Sequence, residues 1–159
     1  ILEENGISCT VEPANLDEDL VKKGLLREGA SPTIVSKNLA ELKANKISKK
    51  KNGELVLGAD SVIDLNGVVI SKPFNREEAL KILQKLNGIK HYLVSSVCIS
   101  KNGSMVWNYT DKAELTMKKM SNIYLMCIYM IGGRMVYQEI PLKISLEMIS
   151  FNQVKVNHV

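Results

Sequence analysis

Cysteine is scarce in this chain. Three residues in 159, Cys9, Cys98 and Cys127, lie far apart and without metal-ligand spacing. An odd count in that arrangement argues against a disulfide framework or a zinc site, and makes a reducing cytoplasm the expected compartment. Histidine is scarcer still. His91 and His158 are the only two, no Ser–His pairing is evident, and acyl transfer of that kind has no support. Long apolar runs are missing as well. The longest, "IYLMCIYMIGG" from Ile123 to Gly133, falls short of the ~20 residues that cross a bilayer. With no signal-peptide pattern, neither a membrane nor secretion is expected, and the sequon at Asn108–Thr110 carries no weight. Charge of either sign is only mildly unbalanced, 21 Lys and Arg against 17 Asp and Glu, a formal +4. The densest basic run, Lys46–Gly53, is not interleaved with aromatics and suits a solvated loop. Nucleic acid is therefore not an expected partner; small anionic ligands are.

What is present suits a soluble globular protein, one domain with a real core or one domain plus an appendage: 45% apolar and 24% charged residues. "ISCTVEP" (Ile7–Pro13) reads as a short strand ended by Pro13. An acidic cluster, Asp17, Glu18 and Asp19, stands at a strand–helix junction. "SPTIVSKNLAELKANKIS" predicts a helix with Ser31 as N-cap and Pro32 at the first position, where its missing N–H costs nothing. Val35, Leu39 and Leu42 form its stripe with Ile34 beside them, and Lys43 lies on the stripe's edge. Leu55, Val56 and Leu57 in a row suit a strand covered on both faces. Asn66-Gly67 is a hairpin turn, so Asp60 falls near the end of a central strand and Lys72 at the far end of its return. Asn75 with Glu78 opens a second helix, with Ala79, Ile82, Leu83 and Leu86 inward and Gly88 as its stop. "HYLVSSVCIS", a turn at "KNGS", and one or two strands in "MVWNYTDKAELTM" follow. That order predicts an α/β fold with a mixed sheet flanked by helices.

Four residues suggest chemistry, although each has an ordinary explanation. Asp60 could be a turn aspartate, and Glu18 a helix N-terminal acid favoured by the dipole. Lys43 could be an edge lysine, Lys72 a solvent-facing one. Together they form a coherent set. Two carboxylates can hold Mg²⁺, which keeps most of its waters and binds phosphate oxygens. One carboxylate can deprotonate a water. Two ammonium groups can neutralise a departing polyphosphate. The set suits hydrolysis of a phosphoanhydride. His91, alone after a Gly-ended helix, suits a structural role.

The ordered residues Leu39-Ala40, Lys43-Ala44, Gly58-Ala59-Asp60-Ser61, Gly67, Lys72-Pro73, Ala79, Leu83, Leu86, Gly88 and His91 resemble the pattern of the Maf family, also called septum-formation-inhibitor proteins. The resemblance runs from about Glu3 to Ser121. It implies an elongated mixed sheet flanked by helices with a deep central cleft, similar to the inosine triphosphatases. It implies a nucleoside triphosphate pyrophosphatase that cleaves between the α and β phosphates with a divalent cation, Mg or Mn. By position, Asp60 is the implied catalytic base and Glu18 a second essential acid, both also implied metal ligands. Lys43 and Lys72 are implied phosphate contacts. Ser61 falls where the branch acting on dTTP and UTP carries Thr or Ser. A homodimer is the implied assembly.

Two departures from the family pattern stand out. The chain starts at Ile1 after the family's first strand and its "S.S.RR"-like phosphate loop, so a segment upstream is expected to be missing. From Tyr124 onward, "YLMCIYMIGGRMVYQEIPLKISLEM" replaces the family's "D.AGAY.IQG" and late "GLP". Residues 121–159 hold four of the seven Met but only Glu139 and Glu147 among the acidic residues, and show no clean helical period. The expected division is therefore 1–121 as the Maf-like α/β domain and 122–159 as a divergent segment produced by a reading-frame change near Tyr124. The alternative to an active enzyme is a catalytically inactive Maf remnant that lacks the phosphate-binding loop.

Overall fold

The computed structural model describes Gly6 and residues 8–131. In chain order these form α1 (Glu18–Arg27), α2 (Pro32–Ser48), β1 (Leu55–Leu65), β2 (Val68–Ile70), α3 (Arg76–Leu86), β3 (Lys90–Lys101), β4 (Ser104–Thr116) and α4 (Asn122–Ile131). The strands build one sheet in the order β2-β1-β3-β4. The α/β class, a sheet flanked by helices, holds. All pairings among the described residues are antiparallel.

Turn chemistry sets that pattern. Asn66 and Gly67 take φ of 53° and 83°, and Asn102 and Gly103 take 51° and 82°. Two successive positive φ values turn the chain with the twist of the flanking strands, so β1–β2 and β3–β4 are tight hairpins. Helix starts follow the expected caps. The Ser31 hydroxyl accepts from Ile34 N with Pro32 opening α2. The Asn75 side chain accepts from Glu78 N at 2.9 Å, while Glu78 Oε2 reaches back to Phe74 N at 2.8 Å.

Alternation along the strands gives the sheet two different faces. On one face Val62 and Val94 pack with Val35 and Leu39 of α2, and Cys98 packs with Ala40 and Ala44. On the other, Ile63 packs with Leu83 and Leu86 of α3, Met117, and Leu125 of α4. Cys9 and Cys98 are free thiols, as expected.

Several expectations are corrected. Residues 8–13 are not a strand. They pair with no strand among the described residues, Val11 is exposed, and the segment is tied to α2's C-terminal end by Glu12–Lys51 (3.2 Å) and by Lys46 Nζ donating to Asn15 O (2.6 Å). Leu55 and Leu57 are exposed, because α3 and α4 cover their face only toward the hairpin end. The buried stripe of α2 is Val35, Leu39, Ala40, Ala44 and Ile47; Ile34 and Leu42 turn outward. Small residues replace large ones in that stripe because the helix lies very close to the sheet. Asp60 sits in the middle of β1, and Lys72 lies beyond the short β2 rather than on it. A helix, α4, occupies Asn122–Ile131, where no helical period was legible. Its sequence is apolar on all sides, which hides a 3.6-residue pattern. Most of the divergent 122–159 segment lies outside the described residues.

Candidate active site

The site begins with a glycine. Gly58 lies on the β1 face that meets α2. A Cβ there would overlap Ala40 O and stand 2.7 Å from Ala44 N and 2.9 Å from Ala44 Cβ. Only glycine allows this approach. Two residues on, and therefore on the same face, is Asp60. Lys43, next to Ala44 on α2, is thereby held against it.

Three side chains form a continuous chain of charge. Lys43 Nζ donates to Asp60 Oδ1 at 2.7 Å and lies 2.9 Å from Glu18 Oε1. Glu18 is delivered by α1, whose N-cap Asp17 accepts from Leu20 N at 3.0 Å and so fixes Glu18 as the first helical residue. Lys22, one turn later, places Nζ 3.7 Å from Glu18 Oε2. Asp60 is anchored through its backbone as well. The fully buried Ser36 hydroxyl on α2 donates to Asp60 O at 2.9 Å, with Val94 O at 3.3 Å.

The two carboxyls are pushed in opposite directions. The Asp60 side chain is only 6% exposed, and its Oδ2 is buried with no hydrogen-bond partner among the described residues. Burial raises its pKa above the usual aspartate range, outweighing the Lys43 hydrogen bond and charge and the Lys22 charge that pull it down. Glu18 is less enclosed. Burial opposes its ionised form too, but the Lys43 hydrogen bond, with the charges of Lys43, Lys22 and Lys72, holds it below the usual range. Burial works against the Lys43 ammonium, and its bonds to Asp60 and Glu18 overcome that and raise it. Such a pair offers one carboxylate with enhanced basicity beside another that stays ionised.

Lys72 is exposed, but its charge reaches Glu18, and the buried Pro73 behind it anchors the loop. Glu18, Lys43 and Asp60 are therefore in direct contact, and Lys72 acts on Glu18 only through its charge. Ser61 is not. As the next strand residue after Asp60 it points to the opposite face, where its hydroxyl lies 2.8 Å from Ser95 Oγ. His91 is buried on that opposite face, with Nδ1 3.1 Å from Ile89 O.

A family model described as Maf-like protein matches residues 1–127. The chain belongs to the Maf family. Within that family it is similar to the nucleoside triphosphate pyrophosphatase of Pelagibacter ubique, 67% identical over 125 residues, which are 79% of this chain and 64% of that protein. The corresponding protein of Roseobacter denitrificans is 42% identical over 125 residues, 79% of this chain and 63% of its own length. A 7-methyl-GTP pyrophosphatase of Brucella abortus is 35% identical over 118 residues, 74% of this chain and 59% of its own length. The chain thus spans under two thirds of the length of these Maf relatives.

Three contributors to this Maf site were not singled out from the sequence. Lys22 stands four residues after Glu18, a spacing that places both on one helix face, but it carries that meaning only once α1 is drawn. Ser36 looked like one more polar position on α2. Gly58 was legible as part of a motif, whereas the close approach that demands it required the packing.

Proposed function

We propose that this Maf site hydrolyses nucleoside triphosphates to the monophosphate and pyrophosphate. The observation that carries the proposal is the Asp60–Lys43–Glu18 chain: a buried carboxylate of raised basicity, with an oxygen that has no hydrogen-bond partner among the described residues, clamped beside ammonium groups. The names of the relatives support the same chemistry. In the mechanism that follows, Asp60 takes a proton from a water as its oxygen bonds to the α phosphorus. The bond from that phosphorus to the α–β bridging oxygen breaks, and the bridging oxygen leaves with pyrophosphate. Lys43 holds Asp60 and Glu18 in register. Lys72, exposed and with no ion pair among the described residues, contacts the phosphates. These positive groups stabilise charge that grows on the leaving group.

The donor set fits a divalent cation of the Mg type. No group of three or more acidic, histidine or cysteine side chains placed to hold a metal ion occurs among the described residues. Mg²⁺ needs only one or two carboxylates when phosphate and water complete its shell. Asp60 and Glu18 would hold it, and it would add positive charge against the phosphates.

The nucleotide is proposed to be of the dTTP or UTP type, from the Gly58–Ser61 motif. That choice rests on the motif and not on a contact, since Ser61 faces away from Asp60. The proposed setting is cytoplasmic, with a homodimer and no nucleic acid as partner. No described helix is long and apolar enough to cross a membrane. We also propose that the divergent segment from 122 arose by a reading-frame change near Tyr124. Translating the other two genomic frames tests it: restoration of "AGAY" supports the change, and its absence from both contradicts it.

The functional test is release of pyrophosphate from dTTP, UTP and CTP by the purified chain with Mg²⁺ or Mn²⁺. Pyrophosphate and monophosphate in equal amounts support the proposal. No turnover by a folded chain favours the inactive remnant instead.

A further inference from the structure

We propose that Lys22 is a third cationic contact for the nucleotide's polyphosphate, an inference that rests on the triphosphate reading above. The way α1 is oriented is the first reason. Lys22 is 8% exposed, while Leu20 and Leu26 on the same helix are 68% and 40% exposed. A helix docked only to hide apolar surface would leave the lysine, and not Leu20 and Leu26, in solvent. This one seats Val21 and Leu25 against the α2 core and buries a lysine between them and Glu18. The long stem accounts for the burial, and the ammonium is carried to the stem's far end.

Among the described residues that ammonium is only loosely paired, in an ion pair with Glu18. The contact to Glu18 Oε2 is 3.7 Å, beyond hydrogen-bond reach, and the Lys22 ammonium makes no hydrogen bond among the described residues. Lys43, by contrast, spends donors on both carboxylates at 2.7 and 2.9 Å. Lys43 is therefore the internal clamp. Lys22 and Lys72, both acting on Glu18, keep their donors available. The Lys22 charge also favours the ionised form of Asp60. Counting Glu18 and Asp60 against Lys22, Lys43 and Lys72, the three ammonium groups outnumber the two carboxylates by one. An ammonium with three N–H donors beside such a site suits phosphate oxygens.

The test compares Lys22→Met, which keeps the stem and removes the charge, with Lys22→Arg, which keeps the charge. Two quantities are read. One is KM and kcat for the nucleotide by pyrophosphate release. The other is the dissociation constant of inorganic tripolyphosphate by calorimetry at several salt concentrations. Lys22→Met is expected to raise both KM and the tripolyphosphate constant roughly tenfold, with a flatter salt dependence. Lys22→Arg is expected to restore most of the affinity. A merely structural lysine would leave the salt dependence unchanged. If Lys22→Met does not fold, Lys22→Gln makes the same comparison. A folded variant that binds tripolyphosphate as the parent does overturns the inference and leaves the triphosphate reading intact. A parent chain that binds tripolyphosphate without hydrolysing nucleotide, with binding weakened in the variant, supports the Lys22 contact while refuting the activity. A parent that neither binds nor hydrolyses overturns both.

Discussion

Asp60 combines two properties that a surface aspartate lacks: an oxygen without a hydrogen-bond partner among the described residues and a raised pKa caused by burial. Replacing it with Asn should lower pyrophosphate release by about 10²–10⁴-fold, the usual worth of a positioned general base, while circular dichroism stays unchanged. The same burial has a consequence for stability. Between the ordinary aspartate pKa, about 3.9, and Asp60's raised one, the unfolded chain gives up this proton before the folded chain does. The Asp60 contribution therefore falls as pH rises through that window. Asp60→Asn removes the decline, so urea unfolding should show the variant gaining on the parent as pH increases. Glu18 acts with the opposite sign. Its lowered pKa gives stability that is present above the ordinary glutamate value and lost as pH falls through its own. Lys43 is the shared counter-charge. Lys43→Met should move the acid limb of the pH–rate profile to higher pH, because the group that pulls Asp60 downward is gone; a limb that stays in place would separate Lys43 from Asp60's titration.

At the scale of elements, the contact of α2 with β1 is what turns separate residues into a site. Gly58→Ala should force the helix away from Ala40 and Ala44 contact distance, destabilising the fold by about 1–3 kcal/mol. It should also lower turnover, since Lys43 moves with the helix. Urea unfolding and the pyrophosphate assay on the same sample check both. A variant that keeps full stability and rate would mean that the approach is not tight. α2, α3, the hairpins and their caps were legible in the sequence because they are local: Ser31-Pro32, Asn66-Gly67 and the Asn75–Glu78 pair each state their own structure. The Glu18, Lys43, Asp60 and Lys72 set was visible as types of residue in the right order. What was not visible was non-local. The sequence around Ser61 looks continuous with Asp60, yet strand alternation sends the two hydroxyl and carboxyl groups to opposite faces. Leu55 and Leu57 look like core, yet no described helix extends over them. Lys22 looks like a surface charge until α1 is placed on α2.

For the whole molecule, the sheet separates a chemical face from a structural one. α2, with α1 packed on it, covers the side that carries Asp60, and α3 with α4 closes the other side around Ile63 and Leu83. Net charge of +4 adds a weak general attraction for a polyphosphate, but the local arrangement of ammonium groups decides where it would lie. Product analysis of nucleotide turnover by the purified chain and its Asp60→Asn variant tests the role of Asp60 most directly. The expected result is pyrophosphate and monophosphate in equal amounts from the parent, and loss of both in the folded variant. Orthophosphate and diphosphate as products, or an undiminished rate without the Asp60 carboxylate, would contradict it.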